Sequence, residues 1–136
     1  MNTSSMNRPL FYDKEGNPIS DTLEWARLFE DREYRIVKQE TLWWGGWLST
    51  VWLGLDHGWG ERKPMIFESM LFFGRKGDLD CQRYSTLGEA AQGHNLLKAH
   101  WSNPMNVVCL FAELVWQRIR RMKWSIQKKF ERGKHE

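Results

Sequence analysis

Trp47-Leu48-Ser49-Thr50-Val51-Trp52-Leu53-Gly54-Leu55-Asp56 is the stretch on which the fold turns. Trp47, Val51, Leu53 and Leu55 alternate with Leu48, Thr50, Trp52 and Gly54, the period of a β-strand. Both sets are largely apolar, which predicts a central strand covered on both faces. His57 to Pro64, with Gly58 and Gly60, turns the chain. Met65 to Phe73 then reads as a second strand, apolar on both faces except for Glu68 and Ser69. A loop centred on Gly60 sets Trp52 opposite Glu68. Upstream, Tyr34, Ile36 and Val37 stand among charged residues, predicting a strand over Arg32–Leu42 with one wet face near a sheet edge. Trp43-Trp44-Gly45-Gly46-Trp47 is then a hairpin tip, with Gly-Gly suited to a primed turn. Asp80 to Tyr84 reads as a short fourth strand.

Helical spacing flanks this block. Leu10-Phe11-Tyr12, followed by Asp13 to Pro18, predicts a small hairpin. Asp21 caps a first helix carrying Leu23, Trp25, Ala26 and Phe29. Thr86 and Glu89 form a capping box for a second, whose stripe is Leu87, Ala90, His94, Leu97 and Trp101. Ser102-Asn103-Pro104 breaks that helix. A third runs from about Met105 to Glu131 with apolar steps of three and four residues. Sequential strands with helices at the ends imply an α+β fold, a small antiparallel sheet of three to five strands with helices on one face and a long C-terminal helix. The expected organisation is a disordered segment 1–7, an α+β body 8–103 and a basic amphipathic helix 104–136.

The chain has 136 residues, one domain by size, and is 41% hydrophobic and 27% charged, which excludes a disordered tail. No apolar run reaches the roughly 18–20 residues of a membrane span. The first residues show no charged-then-apolar leader, so the expected location is a cytoplasm. Cys81 and Cys109 lack metal-ligand spacing and are too few for a disulfide framework. Phosphate-loop, dinucleotide and nucleophile-elbow motifs are also missing, so no cofactor is expected and catalysis is disfavoured. Residues 1–104 carry 12 basic and 14 acidic side chains, net −2, whereas residues 105–136 carry eight and three, net +5. Such asymmetry suggests that the tail has its own partner.

Glu24-Trp25-Ala26-Arg27-Leu28-Phe29-Glu30-Asp31, Ser49 to His57, Ile66-Phe67-Glu68-Ser69-Met70 and Arg83-Tyr84-Ser85-Thr86 occur in that order. Over residues 8–103 the chain resembles a family of small uncharacterised proteins encoded by tailed phages and prophages of actinobacteria. The resemblance implies an accessory protein acting in the host cytoplasm, and it brings no catalytic residues. Trp43-Trp44-Gly45-Gly46 and the helix after Pro104 depart from it.

Three sets of residues carry possible chemistry. Asp56 and His57 end a strand beside a glycine loop, and with Glu68 they could serve a small hydrolase or nuclease. The Gly60-centred register separates Asp56 from Glu68 by about 13 Å, and an Asp-His turn commonly satisfies its own backbone. Glu68 in an apolar strand must pair, with Arg35 or Lys38 as the expected partner. His94 reads as a core histidine bonded through one nitrogen. Trp43, Trp44 and Trp59 fall in turns, where exposed aromatics anchor a protein partner or stack on a base.

The C-terminal helix forms the third set. Val107 to Trp116 is apolar nearly all round and should be buried, in the body or in another subunit. Phe111, Val115, Ile119, Met122 and Ile126 predict a homo-oligomer interface. Arg118, Arg120, Arg121 and Lys123, with Lys128, Lys129 and Arg132, would face outward toward nucleic acid or an anionic membrane surface. The expected function is therefore a non-enzymatic accessory protein that binds a host or phage macromolecule and self-associates through this helix. The alternatives are a nucleic-acid-binding module using the basic helix, or the small hydrolase.

Overall fold

The computed structural model describes residues 9–58, 63–75 and 77–132. They form an α+β fold with two antiparallel sheets. A two-stranded hairpin comes first, β1 (Phe11–Tyr12) and β2 (Pro18–Ile19). Asp13 closes its turn by accepting from the amides of Glu15 and Asn17, and Gly16 takes the positive φ that the turn requires. Helix α1 (Thr22–Glu30) follows, capped by the Asp21 carboxylate on the Leu23 amide. Leu23 falls outside its packed stripe at 68% exposure, while Trp25 stacks between Phe11 and Phe29.

Arg32–Arg35 is not strand but a helical turn, α2, because Asp31 caps it by accepting from the amides of Glu33 and Tyr34. The main sheet then runs β3 (Ile36–Thr41), β4 (Trp47–Trp52), β5 (Phe67–Phe72) and β6 (Asp78–Tyr84), in that spatial order and antiparallel throughout. The predicted central strand is therefore central. The β3–β4 connection is wider than a two-residue primed turn: Gly45 alone has positive φ, and Gly46 lies against the Trp44 ring. Register across β4 and β5 differs from expectation by one residue. Trp52 faces Phe67, and Glu68 faces Val51. A one-residue slip exchanges the two faces of a strand, so Glu68 lies on the face opposite Trp52.

Helix α3 (Leu87–Ser102) covers one face of this sheet. Its capping box is formed in both directions, Glu89 N–H to Thr86 Oγ1 and Thr86 N–H to Glu89 Oε2, each 3.1 Å. Ala90 joins Trp52, Phe67 and Ile66 in the core, all fully buried. Gly93 meets the Tyr84 ring so closely that a Cβ would lie 2.3 Å from it. Trp52 donates its indole N–H to the Tyr12 carbonyl at 3.1 Å and packs edge-to-face with Tyr34.

The chain divides into two compact units, Met1–Ala99 and His100–Glu136, the division falling in the last turn of α3. The second unit contains α4 (Pro104–Arg132), whose first turn is capped by Asn103 Oδ1 on the Met105 amide at 2.9 Å. Val107 is buried, but Val108 is 62%, Val115 57% and Trp116 51% exposed.

Candidate functional site

The two faces of the main sheet have different chemistry. On the α3 side, alternation brings Glu40, Thr50, Ser69 and Tyr84 inward, with Thr50 and Ser69 directly opposed. His94 reaches them from α3, fully buried. Its Nε2 lies 2.9 Å from Glu40 Oε1 and its Nδ1 2.7 Å from Thr50 Oγ1. Glu40 also binds Lys98, and Lys38 at 3.5 Å. These contacts, the Lys98 hydrogen bond foremost, hold the Glu40 carboxyl down at about 2. A carboxylate only accepts, so the His94 proton belongs on Nε2 and Nδ1 accepts from the Thr50 hydroxyl. Thr50 in turn accepts from Ser69 at 2.5 Å, and Ser69 is also hydrogen-bonded to the Tyr84 side chain.

The result is a directed chain of donors, Ser69 to Thr50 to His94 to Glu40, with Tyr84 against its Ser69 end. Hydroxyl, imidazole and carboxylate stand in the relation of a catalytic triad. Thr50, Ser69 and His94 all have zero exposure, however, so no substrate reaches the hydroxyls. Here the chain satisfies polar groups buried under α3. Sequence reasoning placed His94 in the core but gave it one bonded nitrogen. The missed signal is that Thr50 and Ser69 are polar interruptions on the inward faces of two adjacent strands.

Asp56, His57 and Glu68 do not form a shared site. The Asp56 carboxylate accepts from the amides of Gly58 at 2.8 Å and Met65 at 3.1 Å, closing its own loop. Glu68 pairs with Arg83 across β5–β6 at 2.9 Å, rather than with Arg35 or Lys38. Among the described residues no three His, Cys, Asp or Glu side chains gather as a metal site. Burial pushes the Cys81 thiol up, away from a nucleophilic thiolate.

The opposite face of the sheet is open, against the expectation of cover on both sides. Trp47 is 42% exposed and tilts onto Phe72 with ring centroids 5.6 Å apart. Val51, Leu53 and Met70 are half-buried beside them. Together with Phe29 and Arg35 at one end, they line a concavity of about 240 Å³. Arg35 is itself held over the Phe29 ring at 4.8 Å, and Gln39 donates to Ser49 at 2.9 Å. At the hairpin tip Trp43 is 65% exposed, while Trp44 is half-buried against Phe73. Trp59 lies outside the described residues.

On α4, Val115, Met122 and Ile126 are more than half exposed, and Phe111 and Ile119 half-buried. Arg118, Arg120, Arg121, Lys123, Lys128, Lys129 and Arg132 are all exposed. No helix among the described residues is long and apolar enough to cross a membrane.

Comparison of the chain with protein-family models, with curated proteins and with solved structures returned no match.

Proposed function

We propose that this chain is a non-enzymatic binding protein that takes a protein partner on the open face of its sheet. The phage accessory role implied by the sequence motifs, with the host cytoplasm as its setting, is the context for this reading. One observation carries it. The polar chain with triad-like chemistry is sealed under α3, while the opposite face presents Trp47, Phe72, Met70 and Val51 half-exposed around a hollow. Aromatic and methionine side chains around a small desolvated pocket are the usual anchor of a protein interface. The hollow, at about 240 Å³, is smaller than the roughly 300–1,000 Å³ of small-molecule sites, and it suits one or two side chains of a partner. Arg35 at its rim supplies one positioned cation, a residue type enriched at such interfaces.

Affinity capture from host lysate, run in parallel with the chain and with Trp47→Ser/Phe72→Ser, tests this. The native face should retain a specific partner that the variant loses, with both proteins folded. Equal recovery by the two would reject the face as the binding surface.

Self-association through α4 is supported by its exposed stripe and opposed by its charge. Pairing two copies along Val115, Met122 and Ile126 would bring Arg118 and Lys129 of each copy against basic edges of the other.

A further inference from the structure

We infer that α4 is a surface-seeking helix that lies on anionic lipid, its apolar stripe in the acyl boundary and its basic edges among the headgroups. At 100° per residue, Phe111, Val115, Ile119, Met122 and Ile126 fall within an arc of about 80°. Arg118 and Lys129 border that arc on one side and Lys123 on the other. Arg121, Lys128 and Arg132 lie further round the first flank. Glu113 and Glu131 stand on the side opposite the stripe. Residues 118–132 carry seven basic and one acidic side chain, net +6.

Placement favours lipid over other anions. A nucleic acid would engage the cations and leave Val115, Met122 and Ile126 in water, where they are 57%, 52% and 58% exposed. An anionic bilayer surface takes both features in one event, because basic side chains beside a stripe extend their stems along it and hold their charges at headgroup level. Trp116 lies on the Lys123 flank, about 60° beyond the stripe, with Arg120 5.8 Å from its ring, an arrangement suited to the interface between apolar and wet layers. Trp124 lies on the far side beneath Lys128 Nζ at 3.9 Å and stays out of the bilayer. The helix, at about 44 Å for 29 residues, lies on the surface and does not span it.

The test is sedimentation of the full chain with vesicles of phosphatidylcholine, alone or with about one-third phosphatidylglycerol. Partitioning should be at least about tenfold stronger to the anionic vesicles and should fall steeply between about 50 mM and 500 mM salt. Val115→Ser/Met122→Ser/Ile126→Ser, which leaves the net charge unchanged, should weaken it about tenfold or more. Arg118→Gln/Lys123→Gln/Lys129→Gln should do the same by removing the edge charges. The thermal midpoint of each variant shows that the fold is kept. Absent or equal binding to the two vesicle types overturns the inference, and so does a serine variant that binds like the parent. Tighter binding of duplex DNA than of anionic vesicles at the same salt, unaffected by the serines, would identify a nucleic-acid helix instead. A dimer abolished by the serines in a chain that ignores vesicles would identify a second copy.

Discussion

Both ring nitrogens of His94 are engaged, so its protonation is tied to folding. Burial under α3 lowers its pKa below the usual 6.5, despite the Glu40 carboxylate beside it. Above that value the ring is neutral in the folded and unfolded chain alike. As pH falls through it, the unfolded chain takes a proton that the folded chain resists, and stability is lost. Glu40 acts in the same direction at lower pH. Its carboxyl is held from 4.5 down to about 2, with Lys98 the first cause, so its contribution is full above 4.5 and disappears toward 2. The thermal midpoint should therefore fall steadily from about pH 7 to pH 3, and His94→Gln should flatten the upper part of that curve. A midpoint that stays level or rises on acidification would contradict the assignment of the chain's protons. Asp56→Ala should cost about 1–2 kcal/mol, because two amides lose their acceptor. Glu68→Gln should cost under about 1 kcal/mol, since its partner Arg83 is well exposed. Denaturant unfolding reads both. That Asp56 serves its own loop was legible from Asp-His-Gly. The His94 network was not, because its partners Glu40 and Thr50 lie 54 and 44 residues away in the chain.

Elements were legible wherever local chemistry decides them. The Thr86–Glu89 box, the Pro104 break and the three-and-four spacing after it define α3 and α4 without help from tertiary packing. Two readings failed because they depend on what lies across space. The β4–β5 register differs by one residue from a loop centred on Gly60, and that residue moved Glu68 to the other face. A strand apolar on both sides looks the same whether its outer face meets a helix of its own chain or another molecule. Trp52→Ala should cost about 3–5 kcal/mol, the range for an aromatic lost from a core. Gly93→Ala should also destabilise, by roughly 1–3 kcal/mol, since the Tyr84 ring must move. At the hairpin tip, Trp43→Ala should stay within about 0.5 kcal/mol. Trp44→Ala should cost more, because its ring packs on Phe73 and over Gly46. Equal unfolding midpoints for the two tip variants would mean that the Trp44 contact contributes nothing.

At the scale of the whole molecule, a near-neutral body carries a basic helix, and each presents apolar surface to solvent. The body offers a hollow on the open face of its sheet and the helix a narrow stripe edged with cations. The first suits a protein side chain and the second a charged lipid surface, so the two should respond differently to salt. Binding at the sheet face should change little with ionic strength, because among the described residues Arg35 is the one cation lining the hollow. The central claim is that this face is where the chain meets its partner. It is tested most directly by measuring the affinity of the captured partner for the chain and for Trp47→Ser/Phe72→Ser at matched thermal midpoints. A loss of about tenfold or more, corresponding to removal of an interface anchor, is the predicted result. An unchanged affinity, or a specific partner lost only when α4 is altered, would contradict it.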